Sequence, residues 1–149
     1  HVYLSSGHAP EHFGPVGTAS LAKLVNNYMV MGIAALVTEA YAIAAEAGID
    51  WRKLYDVMIR GAGDSGVLRR IAGGAAEGDF SVYAFPVKGA AKDLAEFRAA
   101  VEAAGEALSA LARAVSAVFE EAVEAVDGDR LVGELLSPQV RAAGREAGP

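Results

Sequence analysis

Apolar residues recur at three- and four-residue steps over two long stretches of this chain, and that spacing predicts helices. The first stretch runs from about Thr18 to Ala47. Leu21, Leu24, Val25, Tyr28, Met31, Ile33, Leu36, Val37, Tyr41 and Ala44 leave little polar surface on any side of it. A helix that is apolar nearly all round is buried on most sides, by its own domain or by a partner subunit. At 1.5 Å per residue it would be roughly 45 Å long. Gly48 is placed to stop it. A membrane span is a poor reading. The charge-free stretch from Tyr28 to Thr38 is too short to cross a bilayer, and Glu39 would be stranded in it. The second stretch runs from about Val87 to Val126, through Leu94, Phe97, Val101, Leu108, Leu111, Val115, Phe119 and Val123. Gly105 kinks it or breaks it in two.

Shorter elements lie between and after these. Asp50 is a natural N-cap for a helix from Trp51 to Arg60, with Gly61 ending it. Ser65 is placed to cap a helix from Gly66 to Ala76. Residues 78–86 carry strand-like alternation through Val82 and Ala84. Pro86 restricts that piece to a sheet edge or an irregular extended segment. Asp127-Gly128-Asp129 reads as a turn and Arg130 to Leu136 as a short terminal helix. Residues 1–15 show no period and read as an extended lead-in, and residues 138–149 as a frayed tail. The expected fold class is all-α with two long helices, in one domain spanning residues 16–137.

Composition narrows the function classes. The chain has 149 residues, 53% of them hydrophobic and 21% charged, which suits one folded domain and not a disordered segment. It has no cysteine, which excludes a disulfide scaffold, a thiolate zinc site and a cysteine nucleophile. Thirteen basic against nineteen acidic residues give a net charge of −6, a poor basis for nucleic-acid or membrane-surface binding. The first ten residues have neither a basic region nor an apolar core of the secretory type, so a cytoplasmic location is expected.

Three motifs invite a chemical reading. Gly61-Ala-Gly63-Asp-Ser-Gly66 matches the GxGxxG pattern of dinucleotide-binding folds. That pattern must follow a strand and have an acid about 20 residues on. Here it follows an amphipathic helix, and residues 81–87 contain no acid. A loop between helices is the better reading, with Arg60, Arg69 and Arg70 as its solvated basic edge. His8 and His12 stand four apart beside Glu11. A metal pair at that spacing needs a helix, which Pro10 interrupts, so no metal site is expected. Lys23 and Asn27 are more informative. Four residues apart, they share one face of the first long helix among apolar neighbours. Desolvation there would favour the neutral amine and suit it to proton transfer, whereas snorkelling to solvent would leave it an ordinary surface lysine. Lys92-Asp93 near the start of the second long helix poses the same choice. An ordinary first-turn charge pair is its plain reading.

Residues Gly14 to Asn27 (Gly-Pro-Val-Gly-Thr-Ala-Ser-Leu-Ala-Lys-Leu-Val-Asn-Asn) resemble the start of the C-terminal domain of the β-hydroxyacid dehydrogenases. That family includes 3-hydroxyisobutyrate dehydrogenase, tartronate semialdehyde reductase and 6-phosphogluconate dehydrogenase. Glu39 to Gly48 resembles the end of the family's long helix, Gly61 to Ser65 its next loop, and Phe80 followed by Lys92-Asp93-Leu94 its later signature. The resemblance implies a helical bundle like the C-terminal domain of 6-phosphogluconate dehydrogenase. It implies Lys23 as the general acid/base that takes the substrate hydroxyl proton while hydride leaves for NAD or NADP. Asn27, Gly17 and Ser65 would bind substrate; Lys92, Phe85 and Asp93 would lie on the cofactor side. It further implies a small hydroxyacid substrate and a homodimer formed by packing helical domains together.

The departures are Ala19, where the family has a second glycine, and Glu106 to Ala112, where it has a proline-containing break. Related imine reductases replace the lysine with Asp or Tyr, so Lys23 favours alcohol chemistry. The family's N-terminal Rossmann domain is not in these residues, so this chain is expected to hold half of a site. A non-catalytic helical dimerisation module keeping the scaffold is the alternative.

Overall fold

The computed structural model describes residues 12–125 and 128–138. Among these, the regular elements are all helical: α1 (Thr18–Glu46), α2 (Trp51–Met58), α3 (Gly66–Ala76), α4 (Val87–Ala103), α5 (Ala110–Ala125) and a short 3-10 turn (Val132–Leu136). The all-α expectation holds.

Helix limits follow local chemistry. Gly17 starts α1 with φ at +101°, a backbone that favours glycine. Gly48 ends it at φ +71°, donating back to Ala45. The Asp50 carboxylate accepts from the Arg52 and Lys53 N–H groups and caps α2. Those bonds, Lys53 first, hold the Asp50 carboxyl below its ordinary range. Ser65 Oγ accepts from Leu68 N–H at 3.0 Å and caps α3.

The structure decides between the readings left open at Gly105 and at residues 78–86. The second long helix is broken in two at Gly105. Its φ of +77° ends α4, where Glu106 N–H bonds back to the Val101 carbonyl. Ser109 Oγ then accepts from Ala112 N–H and starts α5. Residues 78–86 form no strand. Gly78 turns left-handed at φ +81°, and the Asp79 carboxylate accepts from both the N–H and the hydroxyl of Ser81. This Asx turn competes with any ladder. What remains is one isolated antiparallel bridge between Pro86 and Leu131. The expected terminal helix is likewise shorter than Arg130 to Leu136, a 3-10 turn whose Glu134 carboxylate accepts from Leu131 N–H at 2.7 Å.

That last segment reaches back to α4. The carbonyls of Arg130 and Gly128 accept from the Val87 and Lys88 N–H groups at 2.8 and 2.9 Å, and Val132 N–H donates to the Phe85 carbonyl at 2.8 Å. Lys88 and Asp129 add an ion pair. The first turn of α4 is thus closed by backbone from about 40 residues downstream.

The core gathers Met31, Ala34 and Tyr41 from α1, Leu68 and Ile71 from α3, Val87 and Leu94 from α4, Phe119 from α5, and Val132 and Leu136 from the final turn. Tyr41 packs edge-on against Trp51, and Trp51 against Phe80. The Tyr41 hydroxyl is fully buried with no hydrogen-bond partner, and burial followed by the nearby Tyr55 pushes its pKa up to about 12.

α1 has a second face. By length and composition it would suffice to cross a membrane, but one side of it is bundle core. The other side leaves Leu21, Val25, Met29, Leu36 and Ile43 between 46% and 65% exposed. They follow one another at four- and seven-residue steps, so they form a single stripe. Its own domain therefore buries α1 on one side only. Beside the stripe, α1 and α5 border an open groove of about 310 Å³ lined by Tyr28, Met29, Gly32, Leu36, Leu111 and Val118, with Glu39 at its edge.

Candidate active site

α1 packs most extensively against α4. In that seam three polar side chains meet. Lys23 and Asn27 lie one turn apart on α1, and Asp93 faces them from α4. Asn27 Nδ2 donates to Asp93 Oδ2 at 2.6 Å, and Lys23 Nζ stands 3.6 Å from Asp93 Oδ1. Each carboxylate oxygen thus serves a different partner. An ionised carboxylate only accepts, so the Asn27 amide must turn its NH₂ inward. Its carbonyl oxygen remains available to a third party.

The environment differs from a hydrocarbon-lined lysine. The Asp93 side chain is 12% exposed, but that of Lys23 is 42% exposed. Lys23 keeps its amine near the surface beside a half-buried carboxylate. An open lysine next to an oriented amide presents one proton-transfer group and one hydrogen-bonding group to the same external space. That arrangement suits a hydroxyl or carbonyl compound supplied from outside the domain.

One turn from Asp93, the Phe97 ring lies parallel to that of Tyr28, with centroids 4.5 Å apart and 3° between planes. Tyr28 follows Asn27 directly. Neither this stack nor the pairing of Asp93 with Asn27, 66 positions away, was read from the sequence. An aromatic next to Asn27 and another four residues after Asp93 were the available signal.

The other expected residues are placed as follows. Lys92 is 72% exposed and pairs with Glu96 at 3.2 Å, one residue from the cluster but turned away from it. Phe85 is half-buried, tilted against Tyr83 and close over Gly89. Gly17 is exposed, with nothing near the position of a side chain. The Ser65 hydroxyl is engaged as the α3 cap. Among the described residues, no hydrogen bond or ion pair links Gly17, Ser65 or Phe85 to the Lys23–Asn27–Asp93 cluster. Arg69 forms a two-pronged pair with Asp64, both donors within 2.9 Å, so one of the three loop arginines is tied up locally. His12 accepts from Gly14 N–H at 3.3 Å; His8 and Glu11 lie outside the described residues.

A family model described as the NAD-binding region of NADP-dependent 3-hydroxyisobutyrate dehydrogenase matches residues 17–137. The chain belongs to this family. The matched span of this dehydrogenase domain takes in Lys23, Asn27, Ser65, Phe85, Lys92 and Asp93.

Solved structures agree. The chain is 27% identical to 3-hydroxyisobutyrate dehydrogenase from Salmonella typhimurium, with a TM-score of 0.73 over 80% of this chain and 41% of that one. It shares its fold, at 22% identity and a TM-score of 0.73, with the Mycobacterium tuberculosis 3-hydroxyisobutyrate dehydrogenase solved with L-serine. That match covers 85% of this chain and 45% of the other. The chain spans less than half the length of these solved dehydrogenases. No curated protein matches it.

The described residues form no complete cradle for an NAD(P) molecule. Lys23 and Lys92 each carry an exposed amine, the first paired with Asp93 and the second with Glu96. The Gly61–Gly66 loop sits between two helices, with Ser65 and Asp64 already engaged, and forms no phosphate cradle of the strand-turn-helix kind.

Proposed function

We propose that this chain is the C-terminal, substrate-binding and dimerisation domain of an NAD(P)-dependent oxidoreductase acting on the CH–OH group of a small 3-hydroxyacid. The observation that carries this is the convergence of Lys23 and Asn27 on Asp93 across the α1–α4 seam. Lys23 accepts the hydroxyl proton during oxidation and returns it during carbonyl reduction. Asn27 orients the same oxygen through its remaining N–H. Asp93 holds both groups in register. Gly17 and Ser65 contribute to the substrate side, Lys92 and Phe85 to the cofactor side. NAD(P), bound mainly by a second domain, supplies the hydride acceptor.

The α1 stripe and its groove are the proposed contact with a second copy of the chain. The stripe is also what favours the alternative, a dimerisation module without catalysis, since that role needs only exposed hydrocarbon. It leaves the pairing of Asn27 and Lys23 with one largely buried carboxylate without a purpose.

The test joins this domain to its nucleotide-binding domain and screens small hydroxyacids, L-serine among them, with NAD and NADP. Lys23→Ala is expected to lower kcat by about 10²- to 10⁴-fold, the usual contribution of a general acid/base. Turnover near the parent value would assign the chemistry elsewhere. The 149 residues alone are expected to bind NAD(P) weakly at most. Nanomolar affinity by calorimetry would contradict the division of the site between domains.

A further inference from the structure

We propose that Tyr28 and Phe97 are positioning residues, whose ring stack sets the α1–α4 spacing that keeps Asp93 in hydrogen-bonding reach of Asn27. The inference rests on reading the Lys23–Asn27–Asp93 cluster as a site. Asn27 and Tyr28 are consecutive on α1. Asp93 and Phe97 are one turn apart on the same face of α4. The two seam contacts therefore share both backbones, and a helix moves as a nearly rigid rod over one turn. Two rings parallel to within 3° at 4.5 Å form a spacer of fixed thickness. Flexible side chains at these positions would fill the gap without fixing it. The Asn27–Asp93 bond of 2.6 Å has little tolerance: a separation greater by about 1 Å would leave hydrogen-bonding range. Tyr28 also lines the groove beside the α1 stripe, so its ring stands between the polar cluster and the open apolar face.

Asn26 and Asn27 are the chain's two asparagines, and Asn26 is exposed, which supplies an internal reference. The experiment measures solvent exchange of both side-chain amides by NMR in the unaltered chain and in three variants. In the parent, Asn27 is expected to exchange about three- to tenfold more slowly than Asn26, the range that a net hydrogen-bond contribution corresponds to. Phe97→Ala should bring the two rates together while circular dichroism shows the helices retained. Phe97→Tyr, which keeps the stack, should preserve the difference. Phe97→Leu keeps the volume without the plane. It should lose most of the difference, and it carries the test if the alanine variant does not fold.

Full Asn27 protection in Phe97→Ala or Phe97→Leu would overturn the proposal, whatever the melting temperature did. Loss of protection in Phe97→Tyr, or equal rates in the parent, would overturn it as well. A purely structural ring pair would lower the melting temperature and leave the rate ratio unchanged. Catalysis plays no part in this readout, so its outcome is separate from that of the Lys23→Ala kinetics.

Discussion

The two sides of α1 solve opposite problems with one helix. Toward α4, Lys23 and Asn27 bring polar atoms into a packed seam, where Asp93 answers both. Toward the groove by α5, Met29 and Leu36 hold out hydrocarbon that nothing in the described chain covers. The first side is locally complete and chemically specific. The second is apolar and incomplete. Self-sufficiency of the polar side means that the site's geometry is a property of one chain. Bare hydrocarbon on the other leaves Leu21, Val25, Met29, Leu36 and Ile43 uncovered by the described residues, the kind of contiguous stripe that marks a contact surface.

That contrast can be broken from either side. The largest effect is expected on assembly. Leu36→Glu places a charge in the middle of the stripe and should weaken association by about 30- to 1,000-fold, as loss of an interface hot spot does. Light scattering across a dilution series checks it, and a single-chain mass for the parent at every concentration would remove the second copy from the picture. Next comes the seam. Asp93→Ala strands the Asn27 amide and Lys23 together, and should cost about 1–3 kcal/mol in urea unfolding. Leu36→Ser, measured at concentrations where chains are dissociated, should stay within about 0.5 kcal/mol. Equal costs at the two positions would mean that the faces do not differ in the way described.

The smallest effect lies on α1's buried side. Tyr41 ionises at about 12 in the folded chain and at its ordinary 10.0 when unfolded. The folded state thus holds this proton more tightly. The associated stability is fully present below pH 10 and is lost as pH rises through the window toward 12. Tyr41→Phe should flatten that alkaline decline in thermal melts. Part of the decline should persist, because burial also raises the Tyr83 pKa. At neutral pH the variant should change stability by no more than about 1 kcal/mol, since it removes a hydroxyl that has no partner. An unchanged alkaline slope would place the titrating group elsewhere.

What was legible in the sequence tracks how local the cause is. The limits of α1 and the caps at Asp50 and Ser65 came through, because each depends on atoms within a few residues. Of the two readings for residues 78–86, a sheet edge or an irregular extended piece, the second holds. The alternation through Val82 and Ala84 was real, but the Asp79–Ser81 turn, equally local, won. Gly105 left kink and break both open, and the left-handed backbone there decided for a break. The site was half legible. Spacing singled out Lys23 and Asn27 but left an ordinary surface lysine open, and the resemblance supplied the expected roles of both and of Lys92-Asp93. Which of that second pair would reach α1 depends on how α4 is rotated against it, and only packing sets that. Lys92 turned outward to Glu96, and Asp93 turned in.

The closure of α4 by downstream carbonyls has a consequence for the order in which a nascent chain matures. The bonds from the Val87 and Lys88 N–H groups at the start of α4 can form only after Gly128 and Arg130 have been synthesised. Asp93 sits less than two turns beyond that point, so the end of α4 that carries the partner of Lys23 is secured by backbone made about 35 residues after Asp93 itself. Until then α1 lacks the cover that α4 and the final turn give its core side, and its outer stripe is bare as well.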